Sequence, residues 1–336
     1  MWRMKVVALP VLVMLLCASG GAQTKVLDVG GVLLAVSDAR TAQVFHVVDQ
    51  VSEWDSGVHH GYVRWAGRTL KLSEEDRRLL QEHARLRRAR GWGNGFEQAF
   101  YVDDAIEVAA RRAVENKLLS ADEAAAEQMI LSHFAPLLSG LLDRSAPQIV
   151  AFRARMDAEA KRIAPVVKKL VRFSETRGAI KLPLFLVPNP EEGSGGGGAN
   201  GGRIVVEIQA DPDPLPILFH EALHALLWQH KEAIRLAAAS VGLGWSDLNE
   251  GIAHAFVPGL TDDLRETDTL AEKLALNFQR GASERDAYAQ SKKYMVALIL
   301  RPLLRAALNH GETFSRFLPK AVGKLRPFRW RTPAAG

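Results

Sequence analysis

The stretch Ile217, Leu218, Phe219, His220, Glu221, Ala222, Leu223, His224, Ala225, Leu226, Leu227 follows the turn Asp211, Pro212, Asp213, Pro214. Its apolar residues predict a helix from Pro214 to about Ser240. Within it lies an HExxH motif. Four residues make just over one helical turn, so His220 and His224 project from one face with converging rings, as two ligands of one tetrahedral ion require. Glu221, beside the first ligand, reaches a water on such an ion without taking a coordination position, and is the natural general base.

A catalytic zinc takes three protein ligands and leaves one position open. The residues Trp245, Ser246, Asp247, Leu248, Asn249, Glu250, Gly251, Ile252, Ala253, His254, Ala255 predict a second helix from Ser246 to Phe256, with Glu250 near its start. The intervening chain is long enough to finish the first helix, turn at Gly242 and Gly244, and return antiparallel. His220, His224 and Glu250 are therefore the expected ligands of a single Zn2+. The chain's one cysteine is Cys17, so beyond that residue a metal site must be built from histidines and carboxylates, and no disulfide can form. His254, one turn after Glu250, either orients a ligand histidine or packs. His230 should face away from the ion, and the adjacent His59 and His60 do not suggest a second site.

These strings resemble the gluzincin metallopeptidases, in which HExxH is followed by an Asn-Glu-Gly helix carrying the third ligand. LNEGIAHAF, residues 248–256, is close to the form of the aminopeptidase-like branch and of the smaller bacterial peptidase-MA-like proteins. The resemblance covers about Ile180 to Leu318. It implies a zincin-like catalytic domain, an edge strand before the motif helix that binds substrate backbone, and a downstream tyrosine or histidine that holds the oxyanion. The segment Arg203 to Asp211 sits where that strand is expected. DAYAQSKKYMVALIL, residues 286–300, is similar to the family's tyrosine helix, which implies the oxyanion role for Tyr288, with Tyr294 as second choice. The Gly-x-Met-Glu-Asn string of the true aminopeptidases is absent from GRIVVEIQAD, residues 202–211, so exopeptidase action is not supported. Glu207 in that string reads as a solvated strand residue.

Outward from the motifs, Ile180 to Val187 is a short apolar run closed by Pro188 and Pro190, which fits a strand. Arg203 to Gln209 alternates, with Ile204, Val206 and Ile208 on one face and Arg203, Val205, Glu207 and Gln209 on the other. The glycine tract from Glu191 to Gly202 between them reads as a flexible connection, since it lacks the Gly-Lys-Ser/Thr ending of a phosphate-binding loop. Thr41 to Phe173 carries helical spacing, with helix starts at Ser73 before Asp76 and at Ser120 before Glu123. Further helices are predicted at Thr267–Gln279, Ser283 to about Leu300 and Glu312–Leu318. The expected fold class is α+β, predominantly helical, with a small edge-strand sheet in the catalytic domain and a C-terminal helical subdomain.

A chain of 336 residues that is 48% hydrophobic can bury a sizeable core without covalent staples. Arg3 and Lys5, the apolar run Val6 to Cys17 and the small residues Ala18 to Ala22 have the layout of a secretory signal peptide. That run falls short of the roughly 20 residues a permanent span needs. Met14, Leu15 and Leu16 lack the small side chains that a lipid-attachment site at Cys17 would want. The expected organisation is a signal peptide over 1–22, a mainly helical region over 23–177, a gluzincin-like catalytic domain over 178–320 and a basic tail over 321–336. Net charge is +5, of which Arg3 and Lys5 supply two, and this mild balance argues for no nucleic-acid partner. Lys320, Lys324, Arg326, Arg329 and Arg331 concentrate positive charge at the end, where weak contact with an anionic envelope is the one membrane interaction suggested.

The chain is thus expected to be an exported, periplasmic or extracellular zinc metallopeptidase that hydrolyses peptide or protein substrates. The alternative is a catalytically inactive zincin fold kept as a binding or scaffold protein of the cell envelope.

Overall fold

Period-two alternation places Ile204, Val206 and Ile208 on one face of a strand and Val205 and Glu207 on the other, and both faces are buried. This strand belongs to a five-stranded sheet in a computed structural model. The structure describes residues 24–330 apart from residues 94, 179, 192–195, 201, 210–213, 257–283 and 329, and gives the backbone alone at residue 200 and over 284–291. The leader expected over 1–22, the helix expected at Thr267–Gln279 and the last residues of the expected tail lie outside the described residues.

The strands are β1 (Lys25–Val29), β2 (Val32–Ser37), β3 (Ile180–Pro188), β4 (Gly197–Asn200) and β5 (Arg203–Ile208), in the spatial order β1-β2-β3-β5-β4. β2, β3 and β5 run parallel, while β1 and β4 lie antiparallel on the two edges. Between β2 and β3 the chain makes α1 (Arg40–Val51), α2 (His60–Thr69), α3 (Glu74–Arg90), α4 (Gly95–Phe100), α5 (Ile106–Glu115) and α6 (Ala121–Phe173). Ser73 with Asp76 and Ser120 with Glu123 form the capping boxes that start α3 and α6, each satisfying backbone donors the first turn would leave open. After β5 come α7 (Leu215–Leu227), a single 3-10 turn (Trp228–His230), α8 (Lys231–Ser240), α9 (Trp245–Phe256), α10 (Glu284–Asn309) and α11 (Phe314–Leu325).

The molecule is mostly helical α+β with one mixed sheet, and the sheet separates two apolar clusters. One face of β2, β3 and β5 packs on the C-terminal half of α6 and on α7 to α11. On the other face, Phe185, Val187 and Val205 meet α1 to α5 and the first half of α6. Each buried Leu, Ile or Phe contributes roughly 1.5–3 kcal/mol, so a sheet buried on both faces fixes strand register strongly.

Four features differ from the sequence expectation. β5 is internal, so Arg203–Asp211 is not the edge strand; the edge is β4, drawn from the tract that reads as a flexible connection. Glu207 is not solvated, because helices cover the face it occupies: it is buried between His46 (3.2 Å) and His59 (2.8 Å). The long helix from Pro214 is broken at Trp228–His230, where Gln229 (2.6 Å) and His230 (2.8 Å) both turn to the Ser174 carbonyl at the end of α6. The β1–β2 hairpin is an addition to the region expected to be mainly helical. No helix among the described residues is long and apolar enough to cross a membrane.

Candidate metal centre

α7 buries Leu215, Leu218, Phe219, Leu223 and Leu226 in the core, which leaves His220, Glu221 and His224 on the face turned to α9 and β4. α9 starts just beyond Gly244, whose N–H donates to the Asp247 carboxylate (3.1 Å), and presents Asn249 and Glu250 toward α7. The glycine after Glu250 has a packing reason: a Cβ on Gly251 would lie 2.3 Å from Val296 Cγ1 of α10. Without that side chain α10 can close on the back of α9 and set how far Glu250 projects.

His220, His224 and Glu250 form a group able to hold a metal ion, with ligand atoms all within 4.8 Å of one another. The two Nε2 atoms are 3.0 Å apart; His220 Nε2 is 3.3 Å from Glu250 Oε2, and His224 Nε2 is 3.3 Å from Glu250 Oε1. Ligands about 2.0–2.1 Å from a tetrahedral ion stand about 3.3 Å from one another. The three side chains therefore have the spacing of one face of such a tetrahedron, and a set of two imidazoles and a carboxylate can hold a divalent transition-metal ion.

Electrostatics agree with that geometry. Burial disfavours a charged Glu250, but hydrogen bonds from His220 and His224 outweigh it and hold the carboxyl well below its usual range. His224 is likewise opposed by burial and raised by Glu250. Protons and a cation compete for the same atoms here. Glu221 is buried, which pushes its pKa up against the pull of His220 and His224; a carboxylate so raised is a stronger proton acceptor.

The His254 ring lies tilted against that of His220 with ring centres 4.6 Å apart, and its Nε2 is 3.8 Å from Glu250 Oε2, so it flanks the triad. Tyr294 is half-buried with its ring 4.8 Å from that of His254. Tyr288 lies on α10 among residues whose side chains are outside the described set.

A cleft of about 730 Å³ opens over the centre, lined by Glu221, His224, Glu250 and, from β4, Gly197, Gly198 and Ala199. A Cβ on Gly197 would lie 2.6 Å from Ile217 Cγ2 and 3.2 Å from Glu221 Cγ, so only glycine lets the edge strand lie this close to the motif helix. The helical half reaches the same cleft through Gly57 and Trp92. Sequence reasoning gave no role to Asn249, which contacts His224 Nδ1 at 2.9 Å, or to Lys293, which faces the cleft and acts on Glu221. Asn249 could have been found from its place beside Glu250 on the helix facing α7; Lys293 carries no local signal. Set against protein-family models, curated proteins and solved structures, the chain matches none of them.

Proposed function

We propose that the chain is a zinc-dependent peptidase, exported by its N-terminal leader. The observation that carries this reading is the tetrahedral spacing of His220, His224 and Glu250 in a cleft that also holds the buried Glu221. His220, His224 and Glu250 would hold the ion, which would supply a water of pKa about 7 and polarise a carbonyl. Glu221 accepts the proton of the attacking water and returns it to the leaving amine. The outer edge of β4 offers backbone N–H and C=O groups to an extended chain, which favours a peptide over a compact ester. Tyr288 is the residue we assign to the oxyanion, with Tyr294 behind it.

The test pairs metal analysis with turnover. Purified protein should hold one zinc, lost in His220→Ala, His224→Ala and Glu250→Ala, and should cleave a mixed peptide library in a chelator-sensitive way. Glu221→Gln should keep the zinc and lose turnover. Zinc retention with no turnover in the unsubstituted protein would instead identify a binding or scaffold protein.

A further inference from the structure

Beyond the metal ligands, α7 and the turn after it extend the cleft floor. His224, Trp228 and Lys231 follow one another at helical spacing along one side and all line the cleft. At about 1.5 Å per residue in α7 and about 2.0 Å per residue in the 3-10 turn, Lys231 lies roughly 10–12 Å along from His224. Its ammonium sits 4.3 Å from the centre of the Trp228 ring and 5.5 Å from that of Trp245. No carboxylate pairs with it among the described residues. Asp247, the acid lining this arm, is engaged with the Gly244 N–H.

Trp245 adds a second donor. Its indole Nε1 is shielded from solvent and finds no acceptor among the described residues, although the residue lines the cleft beside Lys231. Trp228 is 44% exposed on the same wall. An ammonium held on two indole faces, on a wall that also carries a shielded indole N–H lacking an acceptor, is matched by an anionic acceptor carried on apolar surroundings. A neutral apolar side chain would leave both donors unanswered.

We propose that Lys231, Trp245 and Trp228 form a carboxylate-recognising subsite. Resting on the peptidase reading above, it makes the substrate a peptide with an acidic group about three residues from the cut bond, because an extended chain advances about 3.3 Å per residue. The carboxylate is either an Asp or Glu side chain or the free C-terminus of a short peptide.

The experiment uses the full zinc-loaded chain and four matched sets of synthetic peptides: Glu or Gln at scanned positions, each with a free or amidated C-terminus. Cleavage is mapped by mass spectrometry. Cut peptides should be enriched in a carboxylate about three residues from the cut, and the amidated Glu set and the free-acid Gln set show which source is read. Lys231→Met should lower kcat/KM on the acid-bearing peptides at least tenfold more than on their neutral counterparts, with Lys231→Arg restoring most of the difference. Equal losses on both, or cuts with no carboxylate enrichment, would overturn the subsite.

Binding of the same peptides to Glu221→Gln, followed by indole fluorescence, separates the two claims. Lys231-dependent binding of acidic peptides without turnover in the unsubstituted protein keeps the subsite and rejects the peptidase. Absence of any acid-selective binding rejects the subsite whatever the turnover. Lys231 is exposed, so melting temperature and zinc content should match the unsubstituted protein and exclude misfolding.

Discussion

The side-chain amide of Asn249 meets His224 with its Nδ2 2.9 Å from the ring's Nδ1, directly behind the nitrogen that faces Glu250. An amide fork carries a donor and an acceptor, and which one faces the ring fixes the tautomer. With Nδ2 donating to Nδ1, the proton sits on Nε2 and is shared with Glu250. When Nε2 gives its lone pair to a cation, Nδ1 bears the proton and the amide presents its oxygen. Asn249→Asp, whose oxygens only accept, should keep or strengthen zinc binding. Asn249→Leu should weaken it about 10–100-fold. Competition with a chromogenic chelator measures both, and equal affinity in the two variants would remove Asn249 from the site.

Gly197 brings β4 against α7 at a distance no other residue tolerates. A Cβ there would meet Ile217 Cγ2 at 2.6 Å and the Val205 carbonyl oxygen at 2.8 Å, and the latter is backbone that cannot rotate aside. Gly197→Ala should push the edge strand off the motif helix, costing about 1–3 kcal/mol of stability by overpacking. Peptide cleavage should fall further than stability, because β4 lines the cleft, while zinc content stays unchanged. Denaturant unfolding together with kcat/KM on one peptide checks the pair.

The candidate metal-binding triad was legible because such chemistry imposes local spacing: two imidazoles one turn apart, and a carboxylate on the next helix. β4 was not, since Gly197 and Gly198 have no side-chain periodicity and become a strand only by pairing with β5. The alternation of β5 was read correctly, but what covers its second face is set by His46 and His59, far earlier in the chain. Likewise the apolar pattern runs on past Leu227, and it is the tertiary pull of Ser174 on Gln229 and His230 that ends α7. The β1–β2 hairpin did carry a signal, the pair Gly30 and Gly31 between apolar runs, which the helical reading of the region passed over.

His83 gives the protein a pH dependence that does not involve the candidate metal centre. It is wholly buried between Glu127 (2.9 Å) and Asp49 (3.1 Å), and Asp49 also takes the Arg87 guanidinium. Burial favours neutral His83, yet the two carboxylates outweigh it and raise its pKa from 6.5 to about 9. The folded chain therefore holds this proton more tightly than the unfolded chain. Its stabilisation is complete below pH 6.5 and is lost as pH rises through about 9. Urea midpoints should decline over that window, and His83→Gln, which has no proton to lose, should flatten the decline whatever its own stability. A parallel decline in both proteins would locate the titrating group elsewhere.

Glu207 ties the helical half to the side that carries the candidate metal centre. Its carboxylate lies between His46 on α1 and His59 at the start of α2, and its backbone N–H donates to Gly196 (3.0 Å) at the head of β4. Burial raises the carboxyl's pKa, but the two histidines outweigh this and leave it below its ordinary value, so Glu207 is a buried anion that needs both partners. Glu207→Ala takes the carboxylate from the buried His46, which keeps Tyr101 (3.0 Å), and from the partly exposed His59, and should cost about 1–3 kcal/mol. Glu207→Gln can still bridge them by hydrogen bonds and should cost less. Because β4 lines the cleft from its far side, the Gln variant should also lose affinity for peptide more than zinc. Equal stability of the Ala variant and the unsubstituted protein in urea would show that this buried anion does not hold the edge strand in place.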